Sequence, residues 1–342
     1  MPSVDLDILH RALRSVPALA AIRRADLVPL SGMGIAHDHV RLVGTGSIAR
    51  IPRVSQLALA ARDNLDYQAA CFDRLAASGV TPRRRATIAP GDLRPMGALI
   101  VEEIVGRPAR VPDDLPAIAD TLAAIHALPL PPPEARPPLA DHPDPVGGTA
   151  AVIAAQAAFF AECALDNAVR AALDVELAWA ADFAQAAAGR DQPQALVGTD
   201  THPGNFVVDH AGRAIFVDLE KALYGSPAID VAHATLATSV MWSAPDAQPV
   251  PAAAIDAFER RWHDALPPML AARITPWIRP MRRMTWLRSM TWFARWRVLS
   301  RRDEGWSAAR LDPALAAHVE SRTALFLGRP MVEAVRAEWR DG

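Results

Sequence analysis

Asp200, Asn205 and Asp218 fall within one short stretch, residues 196–230, that reads LVGTDTHPGNFVVDHAGRAIFVDLEKALYGSPAID. Two β-type runs, 205–209 and 213–218, flank His210-Ala-Gly212, the pattern of a short antiparallel hairpin. Antiparallel pairing sets the start of the first run beside the end of the second, so Asn205 and Asp218 meet at the open end. Asp200 precedes them in a loop that Pro203 and Gly204 turn tightly. Singly, each is an ordinary turn or cap residue. Together they form an oxygen donor set for a hard cation. Magnesium takes one or two protein ligands and leaves the rest to water and phosphate oxygens. The chemistry this suits is phosphoryl transfer.

Asp200-Thr-His-Pro-Gly-Asn205, the hairpin, Val217-Asp218-Leu-Glu220, Tyr224-Gly-Ser-Pro227 and Asp230-Val-Ala resemble the aminoglycoside phosphotransferase and choline kinase family, small-molecule relatives of the protein kinases. The resemblance implies a two-lobed, kinase-like α+β fold, with a small antiparallel-sheet N-lobe and a larger, mostly helical C-lobe. Residues 1–104 would form the nucleotide-binding lobe and 105–342 the catalytic and substrate-binding lobe. It implies ATP as phosphate donor, Asp200 as catalytic residue, Asn205 and Asp218 as Mg2+ ligands, and Asp230 as a brace for the catalytic loop. The family places a loop-supporting histidine two residues before the catalytic aspartate; here that position is Gly198.

Bulk properties agree with an enzyme of ordinary size. A chain of 342 residues, 51 % apolar and 22 % charged, can bury a substantial core. Its net charge of -2 gives no reason to expect nucleic acid or membrane as a partner. Cys71 and Cys163 are too far apart to read as a disulfide framework or metal site, which fits a reducing cytoplasm. The start lacks the basic-then-apolar order of a signal peptide. The most apolar stretch, 150–164, is short and interrupted by Gln156 and Glu162, so it does not read as a membrane span. Nothing in the composition fixes an oligomeric state. Lys221 is the only lysine.

The elements that must position these residues follow in order. Apolar spacing predicts a helix over 6–16. Runs at 26–30, 39–43 and 47–52, separated by glycine turns at 31–34 and 44–46, predict an antiparallel sheet. Kinase-like chemistry needs a cation on the third strand to hold phosphates. That position is Arg50, whose fork of donors suits the task. The helix expected over 57–77 should carry an acid facing Arg50; Asp66 is the choice, with Asp63 and Asp73 on the same helix. A buried strand over 98–105 ends at the breaker Gly106-Arg-Pro108. In the resemblance it is the hinge, where backbone groups of Glu102 and Ile104 meet adenine. A helix over 115–127 ends at His126, read as a capping or packing residue. Eight prolines in 128–148 predict an extended spacer, and Ala-rich helices over 149–188 break near Asp166.

Beyond Asp230 the chain reads as helices broken at 245–251 and at Pro267-Pro268. Trp286, Met290, Phe293 and Trp296 form an apolar stripe at helical spacing, read as core. Between Asp264 and Asp303 stand nine arginines and no acid. Coulomb's law makes such a segment a poor host for a polycationic aminoglycoside, so a neutral or anionic hydroxyl compound is the expected acceptor. Two rival readings remain: a pseudokinase that binds nucleotide or a partner as a scaffold, and a metal-dependent hydrolase built on Asp200, His202 and Asp218.

Overall fold

The computed structural model describes residues 4–30, 34–91, 95–243, 247–302 and 307–340. Near the N-terminus, α1 (Leu6–Leu13) is capped by Asp5, whose carboxylate accepts from the amides of Asp7 and Ile8 at 2.9 Å. Five strands then build one antiparallel sheet: β1 (Leu27–Leu30), β2 (His37–Leu42), β3 (Ser47–Pro52), β4 (Arg84–Ile88) and β5 (Ala98–Glu102). Their order across the sheet is β1-β2-β3-β5-β4. One sheet face closes a core of Val40, Leu42, Ala49, Ile51 and Ile100 against Leu9 and Leu13 of α1. Most of the glycine turn at 31–34 lies outside the described residues; the turn at 44–46 is present, with Gly44 and Gly46 at positive φ.

Between β3 and β4 runs α2 (Ala61–Leu75), shorter at both ends than the 57–77 expected from its pattern. The helix joins both halves of the molecule. Its Leu65, Tyr67, Phe72 and Leu75 belong to the large core that also holds Phe206, Phe216 and Tyr224.

The hinge strand differs from expectation. It ends at Glu102, and Gly106–Pro108 is a strand, β6, where a breaker was expected. It pairs with β8 of the large lobe (Phe206–Asp209), after β7 (Ala195–Val197). A Cβ on residue 106 would lie 2.2 Å from the Val208 carbonyl oxygen, so glycine is there for close backbone approach. The expected hairpin is present. β8 pairs with β9 (Ala214–Phe216) in the register Phe206 to Phe216, and β10 (Leu223–Gly225) returns to β7.

The rest is helical: α3 (Leu115–His126), α4 (Pro145–Ala157), α5 (Asn167–Ala187), α6 (Ala228–Thr235), α7 (Ala237–Ser243), α8 (Ala252–Ala265), α9 (Pro268–Ile274), α10 (Ile278–Leu299), α11 (Pro313–Phe326) and α12 (Arg329–Arg340). The proline-rich spacer is shorter than expected because α4 starts inside it. Pro145 takes the first helical position, and Asp144 caps the Gly147 amide at 3.0 Å. The helical break falls at the expected place, with Asp166 capping α5. Trp286, Met290, Phe293 and Trp296 of α10 are all buried. No helix among the described residues is long and apolar enough to cross a membrane.

Three helices meet at one buried polar knot. Trp262 of α8 donates its indole N–H to His126 Nδ1 of α3 at 3.0 Å, so the imidazole proton sits on Nε2 and points at Asp230 Oδ2 of α6, also 3.0 Å away. All three side chains are within 1 % of complete burial. His126 is therefore the link between the helical core and Asp230. Replacing it by phenylalanine strands the indole N–H and removes one of the two donors to Asp230 Oδ2, which keeps the Gly198 amide. We expect His126→Phe to lower the urea midpoint by the equivalent of about 1–3 kcal/mol, the cost of orphaned buried polar groups. Adding Trp262→Phe should recover part of that loss, and an unchanged midpoint in the single variant would refute the linkage.

Candidate active site

Asp200, Asn205 and Asp218 line one cavity of about 340 Å³ between the sheet of the small lobe and helices α6, α7 and α10. The hairpin brings them there. The Val217 amide donates to the Asn205 carbonyl at 2.9 Å, closing the open end so that Asn205 and Asp218 flank it. Asn205 Nδ2 donates to the Asp200 backbone carbonyl at 2.8 Å. That leaves Asn205 Oδ1 as the amide atom with no protein donor, as a magnesium ligand requires. Asn205 Oδ1 and the Asp218 carboxylate fit Mg2+, with water and phosphate completing the shell.

The loop that presents Asp200 is held from beneath. Asp230, fully buried, accepts the amides of Gly198 and Thr199 at 2.7 Å each, and its backbone carbonyl takes the Thr201 hydroxyl at 2.8 Å. Thr199 sits at φ +59, a conformation that β-branched residues avoid. Its hydroxyl donates to the Lys221 carbonyl and its own carbonyl accepts from Arg288, both at 3.0 Å. Gly198 has a steric explanation: a Cβ there would lie 2.6 Å from the Phe216 ring. The ring occupies the volume that a side chain at this position would need.

Charge is balanced in pairs. Lys221 Nζ lies 2.5 Å from Asp200 Oδ2. Burial pushes the Asp200 carboxyl up, but Lys221, with His202 and His233, outweighs it and holds the group well below the usual carboxylate range. Arg50 Nη2 lies 2.7 Å from Asp218 Oδ1 and 3.7 Å from Glu220 Oε2. Burial raises the Asp218 carboxyl too, and Arg50 reverses the shift. Glu220 has no cation of its own. Burial and the Asp218 charge push it up to about 8. His37 Nδ1, 2.8 Å from Glu220, belongs to an imidazole that burial keeps neutral, so the two meet as a neutral acid and a neutral base.

Arg50 is not paired with Asp66. Asp66 lies on the exposed face of α2 and pairs with Arg62 at 2.9 Å. The polar residues that α2 turns inward are Asn64 and Gln68; Gln68, two positions or about 200° further round the helix from Asp66, binds His37. The other candidate Asp73 pairs with Arg84 on β4. Arg50 instead rests over the Phe72 ring at 5.6 Å and crosses to the large lobe, with its Nε buried and unpartnered. That orphaned donor is what a phosphate oxygen would satisfy. Glu102 and Ile104 do not line the cavity; the Glu102 amide is already bonded to the Arg83 carbonyl at 2.8 Å. Among the described residues no group of three or more His, Cys, Asp or Glu side chains could hold a metal.

Several cavity residues had no clear mark in the sequence. Lys221 could have been found as the sole lysine, three residues after Asp218. His233 lies 3.8 Å from Asp200, and Trp242, Trp292 and Arg288 line the cavity, but only the fold brings them in.

Two predictions follow from this electrostatic arrangement. Arg50→Met removes the cation shared by Asp218 and Glu220. We expect a loss of up to about 3 kcal/mol, less than for a wholly buried pair because 29 % of the Asp218 side chain is exposed. Millimolar Mg2+ should restore part of it in thermal melts, and identical melts for variant and wild type would sink the assignment. His233 is held neutral by burial, its pKa lowered to about 4 from 6.5. The unfolded chain then binds the proton more readily, so the His233 contribution is intact above pH 6.5 and is lost as pH falls towards 4. His233→Asn should flatten the stability–pH curve across that window, and an unaltered slope would show the imidazole to be freely titrating.

The sequence matches the phosphotransferase enzyme family over residues 32–273, well over half of the chain. No curated protein sequence matches it. Among solved structures, a choline/ethanolamine kinase family protein from Mesorhizobium loti superposes with a TM-score of 0.59 at 17 % identity, covering 97 % of this chain and 99 % of the other. A macrolide 2'-phosphotransferase from Brachybacterium faecium gives 0.54 at 16 % identity, over 94 % and 97 %. The GDP complex of aminoglycoside 2'-phosphotransferase-IIIa gives 0.60 at 14 % identity, over 94 % and 99 %. At such identities the likeness speaks for the fold, the two-lobed α+β arrangement of the kinase-like phosphotransferases. The chain belongs to the phosphotransferase enzyme family.

Proposed function

We propose that this protein transfers the γ-phosphate of ATP to the hydroxyl of a small molecule that is neutral or anionic. The observation that carries the reading is the convergence of Asp200, Asn205, Asp218 and Arg50 on one cavity. Residues 1–104 serve as the nucleotide-binding lobe and 105–342 as the catalytic lobe, with the backbone of Glu102 and Ile104 at the adenine end. Two buried free thiols suit a reducing cytoplasm. A relative crystallised with GDP supports a nucleotide donor.

In this mechanism Asp200 accepts a hydrogen bond from the acceptor hydroxyl and aims its oxygen at the γ-phosphorus. Lys221 keeps the carboxylate ionised at neutral pH. A carboxylate held this acidic is a weak base, which suits a loose transition state in which the hydroxyl proton passes to Asp200 late, as the bond from the γ-phosphorus to ADP breaks and the bond to the acceptor oxygen forms. Arg50 gives its unpartnered Nε, and part of its grip on Asp218, to phosphate oxygens. Asn205 and Asp218 hold Mg2+, which when bound supplies neutralisation of the charge on the transferring group. Gly198 and Thr199, fixed on Asp230, keep the attacking geometry.

The test is ADP release in the presence of a panel of small alcohols. Asp200→Ala should cut turnover by about 10²–10⁴-fold while leaving nucleotide affinity within a few-fold of wild type. Asp218→Asn should remove the Mg2+ dependence of nucleotide binding. Turnover that survives Asp200→Ala undiminished would refute the reading. Nucleotide binding with no turnover on any acceptor would favour a pseudokinase scaffold.

A further inference from the structure

The arginine-rich segment is acid-free only in sequence. Arg273, Arg282, Arg283 and Arg302 pair at 2.6–2.9 Å with Asp191, Glu338, Glu176 and Glu162. Arg297 and Arg301 share Glu320 at longer range. The surface charge inferred for this segment is thus largely neutralised by acids from elsewhere. Arg288 differs. It projects from α10 into the active-site cavity, and its one hydrogen bond among the described residues goes from Nη1 to the Thr199 carbonyl. No carboxylate of the described residues pairs with it; Asp200 is taken by Lys221, and Asp230 by His126 and two amides. Arg288 is only partly buried, and the guanidinium N–H groups that do not bond Thr199 are left for the cavity it lines.

The neighbours sharpen the point. Gln156 of α4 lines the same region, and its side-chain amide bonds the Thr291 hydroxyl at 3.0 Å, a hydroxyl that also reaches the Arg288 carbonyl at 2.9 Å, so one end of the amide is left for the cavity beside Arg288. Trp242, Trp292 and Phe293 supply the apolar wall, with Trp242 edge-on to Trp292 at 5.9 Å. The carboxylates among the described lining residues are Asp200, Asp218 and Glu220, all committed to the reaction centre or to Arg50 and His37. Among the described residues, the side of the cavity around Arg288 therefore offers donors and aromatic faces, and no acid beyond those three.

We propose that Arg288, aided by Gln156, binds an oxyanion carried by the acceptor, so that the substrate is a hydroxy compound with an acidic group whose apolar body lies against Trp242 and Trp292. This deepens, and rests on, the phosphotransferase reading above. The acid docks on Arg288 while the hydroxyl reaches Asp200. The Arg288 guanidinium opposes a cationic acceptor, even though two tryptophans could hold a quaternary ammonium by cation–π attraction.

Titration calorimetry without nucleotide tests the assignment on the whole chain. The probes are 4-(hydroxymethyl)benzoate against its carboxamide, glycerol 3-phosphate against glycerol, and choline. We expect at least one acid to bind tenfold or more tightly than its neutral partner, and the winning pair tells carboxylate from phosphate. Arg288→Gln, which loses the Thr199 contact with either probe bound, should abolish the preference by costing the acid tenfold or more beyond any loss in its neutral partner, and Arg288→Lys should restore part of the preference. The proposal is overturned if no acid binds, if choline binds best, or if Arg288→Gln weakens acid and neutral probes alike, as a mere brace for Thr199 would. ADP release with the same probes separates the two readings: acid binding without turnover on any acceptor defeats the phosphotransfer proposal and leaves the Arg288 site standing.

Discussion

A carboxylate with no access to water has to find every partner inside the protein, and Asp230 does so by fixing the loop that carries Asp200. Its oxygens take the Gly198 and Thr199 amides and the His126 Nε2–H. Those bonds hold Thr199 in a left-handed conformation that costs on the order of 1–3 kcal/mol for a residue of its type. The next residue is Asp200. The strain is tolerated because Asp230, Lys221 and Arg288 engage the amide, hydroxyl and carbonyl of Thr199 respectively. Position of the Asp200 carboxylate thus depends on a polar knot that reaches through α3 to Trp262.

The electrostatics of the cavity obey a simple limit. Three acids, Asp200, Asp218 and Glu220, share the confined site with Lys221 and Arg50 as the cations placed among them. Two acids stay ionised beside their cations. The third is farther from Arg50, and burial drives it towards the neutral form. His37 makes the complementary adjustment, losing its charge in the same low-dielectric space.

What the sequence made legible was local. Asn205 and Asp218 can be placed together because a hairpin with a three-residue turn has one natural register, and the structure brings them together at its open end. The small-lobe strands were legible for the same reason, through alternation and glycine turns. The long-range choices were not. Asp66 was favoured as the Arg50 partner from its place on α2, but helix rotation decides the face, and Arg50 found its acid 168 residues away on the opposite lobe. Gly106 signals both a breaker and a close-packed strand, and the strand β8 that distinguishes them is a hundred residues downstream. The arginines of 264–303 suggested an uncompensated basic segment only because their acids lie elsewhere in the chain.

Gly198 shows how a departure from a family pattern can be read from packing. A missing histidine two residues before Asp200 suggested a loop without its support. The space beside Gly198 is filled by Phe216, a β9 residue that also packs on Phe206 across the hairpin at 5.1 Å between ring centroids. An imidazole is still present beneath the loop, supplied by His126 from the end of α3 and aimed at the same Asp230 that binds the Gly198 amide. The supports for the loop therefore come from the hairpin and the helical core. Restoring a side chain at position 198 would push the Phe216 ring out of the core and disturb the strand that leads directly into Asp218.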